Sequence, residues 1–72
     1  MGNEKDVRDA LRLIIQDKGF NQAAIARKAR MTPAVLSAVL RKIRRLDANE
    51  FFGLCDALGM GPDDIRTYNE TA

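Results

Sequence analysis

The sequence predicts an all-α fold, a compact five-helix bundle, on three observations. Apolar residues recur at three- and four-residue spacings along most of the chain, the period of a helix packed on one face. Each helix-length segment opens on a capping signal, and two of them stop at a glycine, Gly19 and Gly59. Three successive segments also carry an apolar residue before the cap and another at the fourth helical position, the spacing of a hydrophobic staple. At 72 residues the chain is the size of one domain, with a core small enough that a partner subunit is expected. Its 46% apolar and 31% charged content fits a folded chain and not a disordered tail.

The first helix is expected over residues 4–18. Val7, Leu11, Ile14 and Ile15, with the aliphatic stem of Lys18, share one face. Asn3 is the expected N-cap, Glu4 and Asp6 suit the positive end of the helix dipole, and Glu4–Arg8 and Lys5–Asp9 are opposite charges one turn apart. Gly19 ends the helix in a left-handed conformation. The second helix is expected over residues 22–29, capped by Asn21, with Phe20 against Ile25. The third, over residues 33–42, opens on Thr32-Pro33: threonine caps, and a proline at the first position needs no N–H partner. Met31 and Leu36 form its staple. Asp47-x-x-Glu50 has the spacing of a capping box and starts a fourth helix that ends near Leu58, with Leu46 against Phe51. Gly61-Pro62 opens a short fifth helix, with Asp63 and Asp64 in its first turn and Ile65 and Tyr68 facing inward or toward a partner.

Charge is distributed unevenly. Between Asp17 and Asp47 there is no acidic residue and there are eight basic ones: Lys18, Arg27, Lys28, Arg30, Arg41, Lys42, Arg44 and Arg45. The net charge of +2 therefore divides into −1 over residues 1–17, +8 over residues 18–46 and −5 over residues 47–72. A cationic stripe on an otherwise acidic small domain is the footprint of a phosphate-backbone binder. The plainer reading of Arg27, Lys28 and Arg30 is that they solubilise the second helix. Arg41, Lys42, Arg44 and Arg45 complement the negative end of the third helix, yet four cations in five positions exceed that need.

Other chemistries find little support. Histidine is absent, which removes the commonest metal ligand and general base. The lone Cys55 builds neither a disulfide nor a zinc site and is expected in the core of the fourth helix. No cofactor and no small-molecule substrate is expected, and no enzymatic activity. No apolar run approaches the roughly 18 residues of a membrane span, and the charged first residues do not make a signal peptide, so a cytoplasmic protein is expected.

Ile25, Ala29, Met31, Leu36 and Val39 place one apolar face on each of two short helices joined by about three residues, with the small Ala26 where they cross. Two helices so arranged leave the start of the second projecting, with a diameter that fits the major groove of B-DNA. Here the chain resembles the lambda-repressor-like helix-turn-helix domain of phage and bacterial regulators, the Xre or Cro type. The resemblance spans about residues 6–66. It rests on Gln22-x-x-Ile25-Ala26-x-x-Ala29-x-Met31-Thr32, on Leu36-x-x-Val39 and on Ala57-Leu58-Gly59-Met60.

The resemblance implies double-stranded DNA as the partner. It implies that Gln22 meets a phosphate at the start of the second helix. Thr32, Pro33, Ala34, Ser37, Ala38 and Arg41 would face the groove, and Lys42, Arg44 and Arg45 would sit on the backbone. The chain departs from the family pattern at three places. The turn position often held by glycine is Arg30, either strained in a left-handed conformation or in an ordinary right-handed turn. The following loop reads Arg41-Lys42-Ile43, so the third helix is expected to run a turn longer. The groove face is small and mostly apolar, leaving Arg41 as the side chain able to make a bidentate guanine contact.

The expected function is transcriptional regulation, with repression by operator occupancy as a homodimer. Phe52 is either core edge or dimer contact, and Ile43 and Tyr68 are further candidates for a partner surface. Two rivals stand beside it: an antitoxin of the same fold paired with a toxin protein, and a helical protein-interaction module without a DNA role. A toxin or an antirepressor is the kind of protein partner either regulator would meet.

Overall fold

The structure, a computed structural model, describes residues 6–68. Among them lie five helices and no strand: α1 (Val7–Lys18), α2 (Gln22–Lys28), α3 (Pro33–Leu40), α4 (Ala48–Leu58) and α5 (Pro62–Arg66). The cap signals act as the sequence suggests. Asn21, Thr32 and Asp47 are extended, and their side-chain oxygens accept from Ala24, Val35 and Glu50 N–H groups. The Asp47–Glu50 capping box is closed in both directions, at 2.8 and 3.2 Å. Gly19 and Gly59 both adopt φ 68°, the conformation that ends a helix at no steric cost.

Two boundaries differ from expectation by more than one residue. The first helix starts at Val7 and not at residue 4, because Asp6 is extended and its side chain accepts from the Arg8 N–H, making Asp6 the cap. The expected cap Asn3 and the charges Glu4 and Lys5 lie outside the described residues. The third helix stops at Leu40 and does not reach Lys42. Lys42 turns left-handed at φ 62°, and the Ile43 N–H closes back on the Ala38 carbonyl at 3.0 Å. That is the Schellman closure usually built on glycine. A lysine in that role carries no sequence signal, which is why the longer helix was expected.

α2 packs on both α3 and α4, while α1 covers α3 and α5. Leu11, Ile14, Leu36, Val39, Leu54 and Ile65 are fully buried and join all the helices but α2, which contributes Ile25 and Ala26, with Ala29 just after it. The α2–α4 crossing depends on Gly53: a Cβ there would lie 3.2 Å from the Ala29 carbonyl oxygen, tighter than an ordinary contact. Cys55 is buried, and burial pushes its thiol pKa up, which suits a core residue. Phe52 is 54% exposed, so it is not a core-edge residue. Tyr68 turns back to α1, its hydroxyl donating to Asp17 at 3.0 Å. No helix is long and apolar enough to cross a membrane among the described residues.

Candidate nucleic-acid interface

The packing of α3 decides which of its side chains point outward. Leu36, Val39 and Leu40 are buried and Val35 is half-buried, which fills one side of the helix. At 100° per residue the opposite side carries Ala34, Ser37, Ala38 and Arg41, the i, i+3, i+4, i+7 stripe. Ala34 and Arg41 are exposed, and Ser37 and Ala38 are half-buried between them. Thr32 and Pro33 are exposed at the head of the same helix. The first turn thus projects, capped by Thr32 Oγ1 on the Val35 N–H at 3.1 Å.

Cations flank this helix at both ends. Before it, Arg27, Lys28 and Arg30 are exposed, and Gln22 is exposed at the first position of α2. Arg30 is left-handed at φ 63°, which settles the alternative left open by the sequence. The Met31 N–H then closes on the Ala26 carbonyl at 2.8 Å, reversing the chain from α2 into α3. After α3, Arg41, Lys42, Ile43, Arg44 and Arg45 form an exposed loop. One groove, lined by Arg30, Thr32, Val35, Arg44, Asn49 and Gly53 among others, joins the α2–α3 turn to the loop and to the start of α4. Arg30, Thr32 and Arg44 therefore share one surface.

The loop is held from two sides. Asp6 takes the Arg8 guanidinium with both oxygens, at 3.0 and 2.7 Å. The remaining Arg8 Nη1 donates to the Arg44 carbonyl oxygen at 3.1 Å. Those hydrogen bonds from Arg8 hold the Asp6 carboxyl down at a pKa of about 2. Arg44 Nη1 donates in turn to Glu50 at 2.9 Å and to the Arg45 carbonyl at 3.1 Å. That hydrogen bond lowers the Glu50 pKa and raises that of Arg44. Lys42 Nζ donates to Asp9 of α1 at 3.1 Å. Arg27, Lys28, Arg30, Arg41 and Arg45 have no ion pair among the described residues.

All ten side chains expected to meet DNA are thus exposed or half-buried, and six of them belong to α3 or to the residues that flank it directly. Sequence reasoning missed the groove residue Asn49 and the support given by Asp6, Arg8, Asp9 and Glu50. Asn49 follows from the capping box, which fixes the start of α4 beside the loop. The α1 contacts are tertiary, and no local pattern announces them. Among the described residues no cluster of His, Cys, Asp and Glu is arranged to hold a metal ion.

The fold agrees with known proteins. A family model of the Cro/C1-type HTH DNA-binding domain matches residues 10–71. Among solved structures, the chain is similar to the clp gene regulator ClgR from C. glutamicum, with a TM-score of 0.78 and 26% identity over 92% of this chain and 88% of that one. No curated protein matches. With five helices in this order and a family match over most of its length, the chain belongs to the Cro/C1-type helix-turn-helix DNA-binding domains.

Proposed function

We propose that this protein binds double-stranded DNA in a sequence-selective way and regulates transcription as a small repressor of phage or prophage type. The observation that carries this is the outward stripe of α3, Ala34, Ser37, Ala38 and Arg41, framed at both ends by exposed cations. α3 enters the major groove, Gln22 and the cations around Arg30 and Arg45 take phosphates, and Arg41 reads guanine. The small side chains suit thymine methyl groups, so phosphate contacts and duplex shape supply much of the affinity. The reading is supported by the family membership and by the likeness to a gene regulator. The protein works in the cytoplasm without cofactor or catalytic activity. It acts as a homodimer, two α3 helices spaced roughly 34 Å apart meeting successive major-groove turns. The exposed Phe52 and Ile43 are its candidate contacts between copies.

Selection from random duplexes, read out by sequencing, tests this. An enriched inverted repeat is the expected result. Absence of enrichment, together with affinity that does not depend on salt, would remove DNA from the account and favour a protein-interaction module.

A further inference from the structure

We infer that Asp9 and Glu50 are affinity-setting residues: each occupies the place of a DNA phosphate on a loop cation, so that Lys42 and Arg44 are released to a duplex only by exchange. The inference rests on the DNA-binding reading above. Among the described residues, the central segment's cations form two ion pairs, and both partners come from helices outside the helix-turn-helix. Asp9 of α1 holds Lys42 at 3.1 Å, and Glu50 of α4 holds Arg44 at 2.9 Å. Both cations keep over 40% of their side-chain surface exposed, so a phosphate can reach them without unfolding anything.

The two carboxylates differ in what they do after exchange. Glu50 is anchored, because its Oε1 also accepts the Asp47 N–H in the capping box. When Arg44 turns to a phosphate, Glu50 stays behind as an uncompensated negative charge beside the backbone. Asp9 has a second cation in reach, Arg12 at 3.7 Å, which takes up its charge when Lys42 leaves. Glu50 is therefore the stronger restraint. A cation neutralised by its own carboxylate adds little to counterion release, so the salt dependence of binding is shallower than the exposed cations alone would give.

The test measures affinity for one duplex at several salt concentrations with wild type, E50Q and D9N. Glutamine keeps an acceptor for the Asp47 N–H, so α4 keeps its cap. From the strength of exposed ion pairs, E50Q is expected to tighten binding about two- to fivefold at low salt. Its log–log salt slope should steepen by about 0.9, one more phosphate neutralised. D9N moves both quantities the same way by less. The E50Q gain should vanish in an R44Q background, and D56N, which removes a charge further along α4, should change binding less than E50Q does. Unchanged or weaker binding by E50Q, or a gain that persists in R44Q, overturns the inference while leaving DNA binding intact. A wild-type slope near zero instead removes the DNA-binding reading, and the inference falls with it.

Discussion

Arg30 and Lys42 each hold a left-handed backbone that costs a residue with a Cβ about 1–2 kcal/mol, and each sits at a chain reversal beside α3. Glycine would close either turn without that strain, but would leave no charge next to the groove helix. R30G is expected to stabilise the fold by up to about 1 kcal/mol in chemical denaturation, once glycine's greater unfolded-state freedom is subtracted. The same variant should weaken DNA binding, since a phosphate contact is lost. Equal stability with unchanged binding would show that Arg30 is only a solubilising charge. Asp6 makes a second prediction at this scale. Its folded pKa, about 2, lies below the ordinary carboxylate value, so its contribution to stability is present above about pH 4 and is lost as pH falls through 2. D6N should therefore be less stable than wild type at neutral pH, and the two should converge as pH falls from about 4 to 2. A gap that stays constant with pH would mean that the Asp6–Arg8 pair does not hold the loop.

At the scale of elements, α3 is eight residues long and owes its orientation to neighbours, not to its own propensity. Its outer stripe has little packing to lose. A38E should leave the melting temperature within about 4 °C of wild type, as a surface change does, while abolishing DNA binding by setting a carboxylate against the duplex. Loss of both together would place Ala38 in the core instead. Gly53 tests the opposite side of the element. G53V puts branched carbons against the Ala29 carbonyl at the α2–α4 crossing and should cost about 1–3 kcal/mol, measured by denaturation. A neutral result would mean that α2 can slide on α4.

The helix order and the capping residues of α2, α3 and α4 were legible in the sequence, because caps, staples and periodicity are local and pointed to the same boundaries. The starts of α2 and α3 fell where Asn21 and Thr32-Pro33 placed them. Legibility failed first where a local role fell to a residue type that does not announce it. Lys42 performs a turn usually marked by glycine, and Asp6 caps α1 while binding Arg8. The outward set on α3 was implied by the family resemblance. That two loop cations are held by carboxylates 33 and 6 residues away could not be read, since ion pairs across elements depend on the packing of α1 and α4.

For the molecule as a whole, the uneven charge stays at the surface. Exposed cations precede and follow α3 in the chain, while Asp56, Asp63 and Asp64 are exposed on α4 and α5. Such a molecule approaches a duplex in a preferred orientation, with α3 leading. Chemical-shift mapping of the isotopically labelled protein, titrated with a duplex enriched by selection, tests this most directly. The amides expected to move are those of Gln22, Thr32, Ala34, Ser37, Ala38 and the loop from Arg41 to Arg45, with Asp56, Asp63 and Asp64 unmoved. Shifts gathered on α5 and the outer side of α4, with α3 silent, would contradict the account.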